Sequence, residues 1–165
     1  MPNQTRQASI NGRPPGIEPA TGVVSVTHKA RTADVVSASQ QPKIMMVDDE
    51  KLNSFVVAEY LKTAGYRDLF HTDDPLQVLS LAHRLRPDVI LLDIHMRKLD
   101  GLAILQQIRA DKALAHTPVV ILTASTDEEV KAQTLELGAT DFLNKPIRKK
   151  QLIDCLRNIV PANTD

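Results

Sequence analysis

From Lys43 onward, apolar positions alternate between short continuous runs and stripes spaced three or four residues apart. Continuous runs of four or five suit strands covered on both faces, and the stripes suit helices with one covered face. Lys43–Val47 reads as a first strand. Leu52, Val56, Tyr60 and Ala64 then recur every four residues, a helical stripe that Gly65 stops. Asp68–His71 is a weaker strand. Asp73 is placed to cap a helix that Asp74-Pro75 opens, with Leu76, Leu79, Ala82 and Leu85 on its apolar face. Asp88–Leu92 is the strongest strand, and the loop after it ends at Asp100-Gly101. Leu102, Leu105 and Ile108 mark a third helix, Val119–Leu122 a fourth strand, and Val130, Thr134 and Leu137 a fourth helix closed by Gly138. Asp141–Asn144 predicts a fifth strand, and Leu152, Leu156 and Ile159 a last helix before Pro161.

Five strand–helix repeats predict an α/β fold with a mostly parallel sheet. Right-handed crossovers would place helices on both faces, and residues that follow the strands would gather at one edge. Asp48, Asp49 and Glu50 follow the first strand, Asp93 the third, and Lys145-Pro146 the fifth, while Thr123 ends the fourth. Carboxylates brought together repel unless a proton or a hard cation intervenes. Magnesium suits them, because it takes oxygen ligands and commonly uses only one or two carboxylates with phosphate and water. A carboxylate can also act as a nucleophile, with a lysine and a hydroxyl to offset phosphoryl charge. The spacing therefore predicts a phosphate-and-magnesium site. Taken singly, each residue has a plainer role: helix capping for Asp48, Asp49 and Glu50, a turn for Asp93, strand packing for Thr123, a solvated head for Lys145. Their convergence favours the chemistry.

These residues lie in five motifs: MVDDE (46–50), LLDIHM with a later DG (91–101), ILTAS (121–125), GATDFL (138–143) and NKP (144–146). In their order and spacing, the segment from Lys43 to about Val160 resembles the receiver domain of two-component response regulators. The resemblance implies a doubly wound, flavodoxin-like five-stranded parallel sheet in the order 2-1-3-4-5. It implies that Asp93 is the phosphoacceptor, and that Mg²⁺ is bound by Asp49, Asp93 and the backbone carbonyl of His95, with Asp48 acting partly through water. Lys145 would pair with the phosphoryl oxygens, Thr123 would hydrogen-bond one of them, and Phe142 would be the switch aromatic. The Lys145–Pro146 bond would be cis. The partners implied are a sensor histidine kinase or histidine phosphotransfer protein as donor, and a downstream protein at the face of the fourth helix, fifth strand and fifth helix, where Arg148, Lys149 and Lys150 lie. Homodimerisation on phosphorylation is left open. One departure stands out: the family often has proline after Met96, and here Arg97 follows. An arginine there should loosen the loop or let a guanidinium approach the phosphoryl group.

Charge and composition narrow the rest. The chain has 165 residues, 20 Lys and Arg, and 20 Asp and Glu, so it is formally neutral. Neutrality argues against a general nucleic-acid or membrane-surface binder. Residues 1–42 hold five of the ten prolines and none of the aromatic residues, and carry a net charge of +2. So little large apolar material does not offset the entropy of ordering a backbone, and a flexible N-terminal tail is expected there, with a short C-terminal tail at 161–165. Apolar runs such as Val89–Leu92 are far too short to span a membrane, and no signal-peptide core precedes them, so a cytoplasmic location is expected. A single cysteine, Cys155, excludes an intrachain disulfide. His71, His83 and His116 lack metal-ligand spacing.

Two functional classes compete with a phosphoacceptor that catalyses only its own phosphorylation and dephosphorylation. An aspartyl-phosphate phosphatase of the haloacid-dehalogenase type would usually carry a second Asp two residues after the nucleophile, where this chain has His95. A phosphorylation-independent interaction module would not need Asp93, Thr123 and Lys145 together with the acid pair. No G-x-x-x-x-G-K-[ST] loop supports nucleotide hydrolysis. Only five residues follow Val160, so signalling through protein contacts is expected unless the chain is a fragment.

Overall fold

A computed structural model describes residues 41–161. The tail expected over 1–42, save its last two residues, and all of 161–165 but Pro161 lie outside the described residues. Five strand–helix units run in order: β1 (Ile44–Val47), α1 (Lys51–Thr63), β2 (Leu69–Thr72), α2 (Val78–Leu85), β3 (Val89–Asp93), α3 (Gly101–Ala110), β4 (Val119–Thr123), α4 (Glu128–Glu136), β5 (Asp141–Asn144) and α5 (Lys149–Ile159). The strands form one parallel sheet in the order β2-β1-β3-β4-β5. β1, β3 and β4 are buried along their whole length, which is why they read as unbroken apolar runs.

Alternation along the strands divides the core in two. Met45, Val47, Ile90, Leu92, Val119 and Ile121 face α2 and α3, packing on Val78, Ala82, Ile104, Leu105 and Ile108. Ile44, Met46, Val89, Leu91, Val120 and Leu122 face α1 and α5, packing on Val57, Leu61, Leu152 and Leu156. Cys155 belongs to this second core; burial and a hydrogen bond to Asp141 push its thiol up to about 12, so it is an inert packing residue.

Two helix faces differ from the sequence pattern. In α1 the buried residues are Ser54, Val57 and Leu61, whereas Leu52 is 72% exposed and Val56 lies at the surface. Four residues turn a helix by slightly more than one revolution, so a strict four-residue stripe drifts off the core line. The second helix begins later than expected. Asp74, not Asp73, caps, accepting from the Leu76 N–H, and Pro75 opens a single 3₁₀ turn before α2 starts at Val78. Pro75, Val78 and Ala82 are buried and Leu76 is exposed.

α4 has a shallow seat. Thr134 is its sole fully buried residue, and the Thr134 hydroxyl donates back to the Val130 carbonyl. Beyond its end, Arg109 of α3 donates to the carbonyls of Gly138 and Thr117, tying the α4–β5 turn to the start of β4.

Candidate functional site

Strand register brings the site together. Val47 pairs with Leu92, so Asp48 lies level with Asp93; Asp93 pairs with Leu122, one residue before Thr123; and Thr123 pairs with Asn144, one residue before Lys145. Asp93 is the last residue of β3 rather than the first beyond it, which explains its burial.

Lys145 is the hub. Its Nζ lies 2.9 Å from Asp48 Oδ2 and 3.2 Å from Asp93 Oδ2. The Lys145 N–H donates to the Thr123 carbonyl, and the Lys145–Pro146 peptide bond is cis. The free oxygens are held by backbone: Glu50 N–H donates to Asp48 Oδ1, and His95 N–H donates to Asp93 Oδ1. Burial pushes the Asp93 carboxyl above its ordinary range; the charge of Lys145 opposes this and that of Asp48 adds to it. Burial disfavours the Lys145 ammonium, but its hydrogen bond to Asp48 and the charges of Asp93 and Asp48 outweigh that and hold it above its usual value. Asp93 is thus a buried carboxyl whose charge a single lysine offsets.

Asp49 points outward and is met by Arg97, whose backbone N–H and Nε both donate to Oδ2 at 3.1 Å. The Arg97 backbone bond draws the Asp49 carboxyl below its ordinary range, burial opposes it, and the guanidinium adds to the lowering. Carboxylate oxygens of Asp48, Asp49 and Asp93 lie within 4.8 Å of one another. Three carboxylates facing one ammonium and one guanidinium form a donor set that fits a hard, oxygen-seeking divalent ion.

Thr123 is buried, and its Oγ1 accepts from the Ser125 N–H. Phe142 is not in the acid cluster. It pairs in register with Ile121, two residues from Thr123, and packs against the α2/α3 core. Arg148 precedes α5 without a side-chain capping bond, and Lys149 and Lys150 lie in its exposed first turn.

Gly101 has a role that the motif did not reveal. The Asp-Gly pair reads as a turn, and Asp100 indeed caps α3 through the Leu102 N–H. Gly101 also packs directly on the backbone of Asp93 and Ile94. A Cβ there would fall on the Asp93 carbonyl oxygen and 2.7 Å from Ile94 Cα. A glycine opening a helix, where alanine would favour the helix, is the sequence signal for such an approach.

Residues 44–157 match the family model described as the response regulator receiver domain. The chain belongs to this receiver-domain family. It is 34% identical over 72% of its length to the DNA-binding dual master transcriptional regulator RpaA of Synechocystis, covering 49% of that protein. It is 36% identical over 67% of its length to the alkaline phosphatase synthesis regulator PhoP of Bacillus subtilis, covering 45% of that protein. The chain thus spans about half the length of these curated relatives. Among solved structures, the Vibrio cholerae chemotaxis protein CheY4 superposes with a TM-score of 0.68 at 29% identity, covering 73% of this chain and 100% of that one. The receiver domain of a Pseudomonas aeruginosa sensor histidine kinase, solved with a magnesium ion coordinated in its active-site cleft, gives 0.66 at 30% identity, covering 73% and 98%. The receiver fold and sheet order expected from the motifs are those observed. Among the described residues, no helix is long and apolar enough to cross a membrane.

Proposed function

We propose that this receiver accepts a phosphoryl group on Asp93 from a phosphohistidine protein in a magnesium-dependent reaction. The observation that carries the reading is the Lys145 ammonium bridging Asp48 and Asp93, which offsets the charge of a buried carboxylate that could serve as nucleophile. An Asp93 oxygen forms the new O–P bond as the donor's N–P bond breaks. The imidazole leaves with the electron pair and is protonated from solvent. Asp48, Asp49 and Asp93 would hold Mg²⁺, which supplies positive charge to the transferring phosphoryl oxygens. Lys145 is placed to follow the charge as it moves from carboxylate to phosphoryl group.

The exposed side of α1 supports a protein donor. Leu52, Val56 and Tyr60 line a groove that also includes Asp48, Lys145 and Pro146, so an apolar partner surface resting there would stand beside the acceptor. The output half of the reading concerns Thr123, Phe142 and the α4–β5–α5 surface. The Thr123 hydroxyl would exchange Ser125 for a phosphoryl oxygen, and Phe142, two residue pairs away, would follow to reshape the surface offered to a downstream protein.

The test is intact-mass measurement after incubation with a small phosphodonor and Mg²⁺. One phosphoryl addition is expected on the wild type and none on Asp93→Asn. Labelling of Asp93→Asn at the wild-type rate would refute the assignment, and steady release of phosphate from simple monoesters would favour a phosphatase instead.

A further inference from the structure

Arg97 and Lys98 are consecutive cations in the β3–α3 loop, and each reaches an acid on a different neighbouring loop. Arg97 pairs with Asp49 after β1, and Lys98 Nζ lies 3.7 Å from Asp74 after β2. The Arg97 contact is the closer and is doubled: a main-chain and a side-chain donor converge on one oxygen, Asp49 Oδ2. Proline, which the family often carries here, has neither donor. The Arg97 side chain is otherwise 85% exposed, while that of Asp49 is 14% exposed. Arg97 is therefore an exposed charge laid over a largely covered carboxylate. The same loop borders a cleft of about 440 Å³ lined by Asp49, Asp73, Asp74, Pro75, Arg97 and Lys98.

We infer that Arg97 is a built-in competitor of the metal ion, holding the Asp49 oxygen that Mg²⁺ must use and lowering the site's affinity for it. A divalent ion and a guanidinium at one carboxylate oxygen repel each other at close range, so metal entry requires the Arg97 side chain to leave. The cleft offers it a second place, because Asp73 and Asp74 line the same space. Metal loading would thus respond to magnesium at higher concentrations than the three carboxylates alone would set. An arginine does this better than a lysine, since its charge is never lost and its fork is rigid. The inference rests on the reading of Asp48, Asp49 and Asp93 as a magnesium site, and adds a residue that regulates it.

The test is calorimetric titration of the full chain with MgCl₂ at constant ionic strength, for wild type, Arg97→Ala, Arg97→Pro and Lys98→Ala. An exposed ion pair is worth about two- to fivefold in an equilibrium constant, so Arg97→Ala should bind Mg²⁺ tighter by about that factor. Arg97→Pro, which removes both donors, should bind at least as tightly, and Lys98→Ala should stay near wild type. In the wild type, the Arg97 Nε–Hε NMR signal should shift as Mg²⁺ saturates the site. Equal affinity of wild type and Arg97→Ala overturns the inference, as does an equal gain in Lys98→Ala, which would reveal only the general field of a lost charge. Absence of binding in every variant overturns the magnesium reading as well, whereas saturable binding of equal strength overturns the competitor alone.

Discussion

The ammonium of Lys131 on α4 lies 5.0 Å from the ring centre of Phe142 on β5. A cation over a ring face is worth about 0.5–1 kcal/mol at a partly exposed position, and Lys131 also pairs with Glu128 at 2.8 Å. Phe142 is thereby clamped to the most shallowly seated helix. Lys131→Ala should lower stability by about 0.5–1 kcal/mol in urea unfolding, and the loss should vanish in a Phe142→Leu background. An undiminished loss in the double variant would show that Lys131 acts through Glu128 instead.

Asp93→Asn should melt a few degrees higher than wild type at neutral pH in the presence of a chelator. Burial raises the Asp93 carboxyl in the folded state, so the folded protein binds that proton more readily than the unfolded chain. Wild type therefore recovers stability from this group as pH falls into the carboxylate range and loses it as pH rises through the folded-state value. Asn has no proton to gain, so the difference in melting temperature should close on acidification. A gap that widens toward low pH would contradict the assignment.

Gly101→Ala tests the backbone beneath Asp93. Alanine improves helix propensity by about 1 kcal/mol, yet its methyl group would meet the Asp93 carbonyl and Ile94 Cα. Overpacking against main chain costs about 1–3 kcal/mol, so the variant should be less stable despite the better helix former. Its Mg²⁺ affinity should also fall, because relief of the clash displaces Asp93. A variant as stable as wild type with unchanged metal binding would show that the loop yields elsewhere.

The buried line of α1 is open to a paired test. Leu61→Ala should cost about 2–5 kcal/mol, and Leu52→Ala should change stability by no more than about 0.5 kcal/mol. Chemical denaturation of the two variants decides it, and similar losses would mean that Leu52 is covered after all.

The α1 outcome shows where the sequence was legible and where it was not. Strands buried on both faces announce themselves, and β5 was read with the bounds Asp141–Asn144 that the structure has. The helix faces of α1 and α2 are legible only in part: Tyr60, Ala64 and Ala82 pack on the core as the stripes predict, and Leu52, Val56 and Leu76 do not, because apolar character says that a side chain prefers cover, not which surface supplies it. Leu52 and Val56 look like core in a pattern and instead line the groove beside Lys145. In the site, Asp48, Asp93, Thr123 and Lys145 were legible because each ends or follows a parallel strand, where topology alone creates proximity. The Arg97–Asp49 contact was not, since it joins two loops 48 residues apart whose conformation no periodicity encodes. Of the two expectations for Arg97, a looser loop or a guanidinium near the phosphoryl site, the first fails: Arg97 ties its loop to the one after β1 through Asp49.

The seat of α4 bears on how such a receiver can diversify. Thr134 is its sole fully buried residue and Val130 packs on the core from a partly buried position, so the outward positions of that helix can be exchanged at little cost to the core. Asp93 itself ends β3, a strand buried along its whole length, where change is costly. The outer face of α4 can therefore change in a lineage while the acid cluster stays untouched, because the two are parts of the chain under different packing constraints.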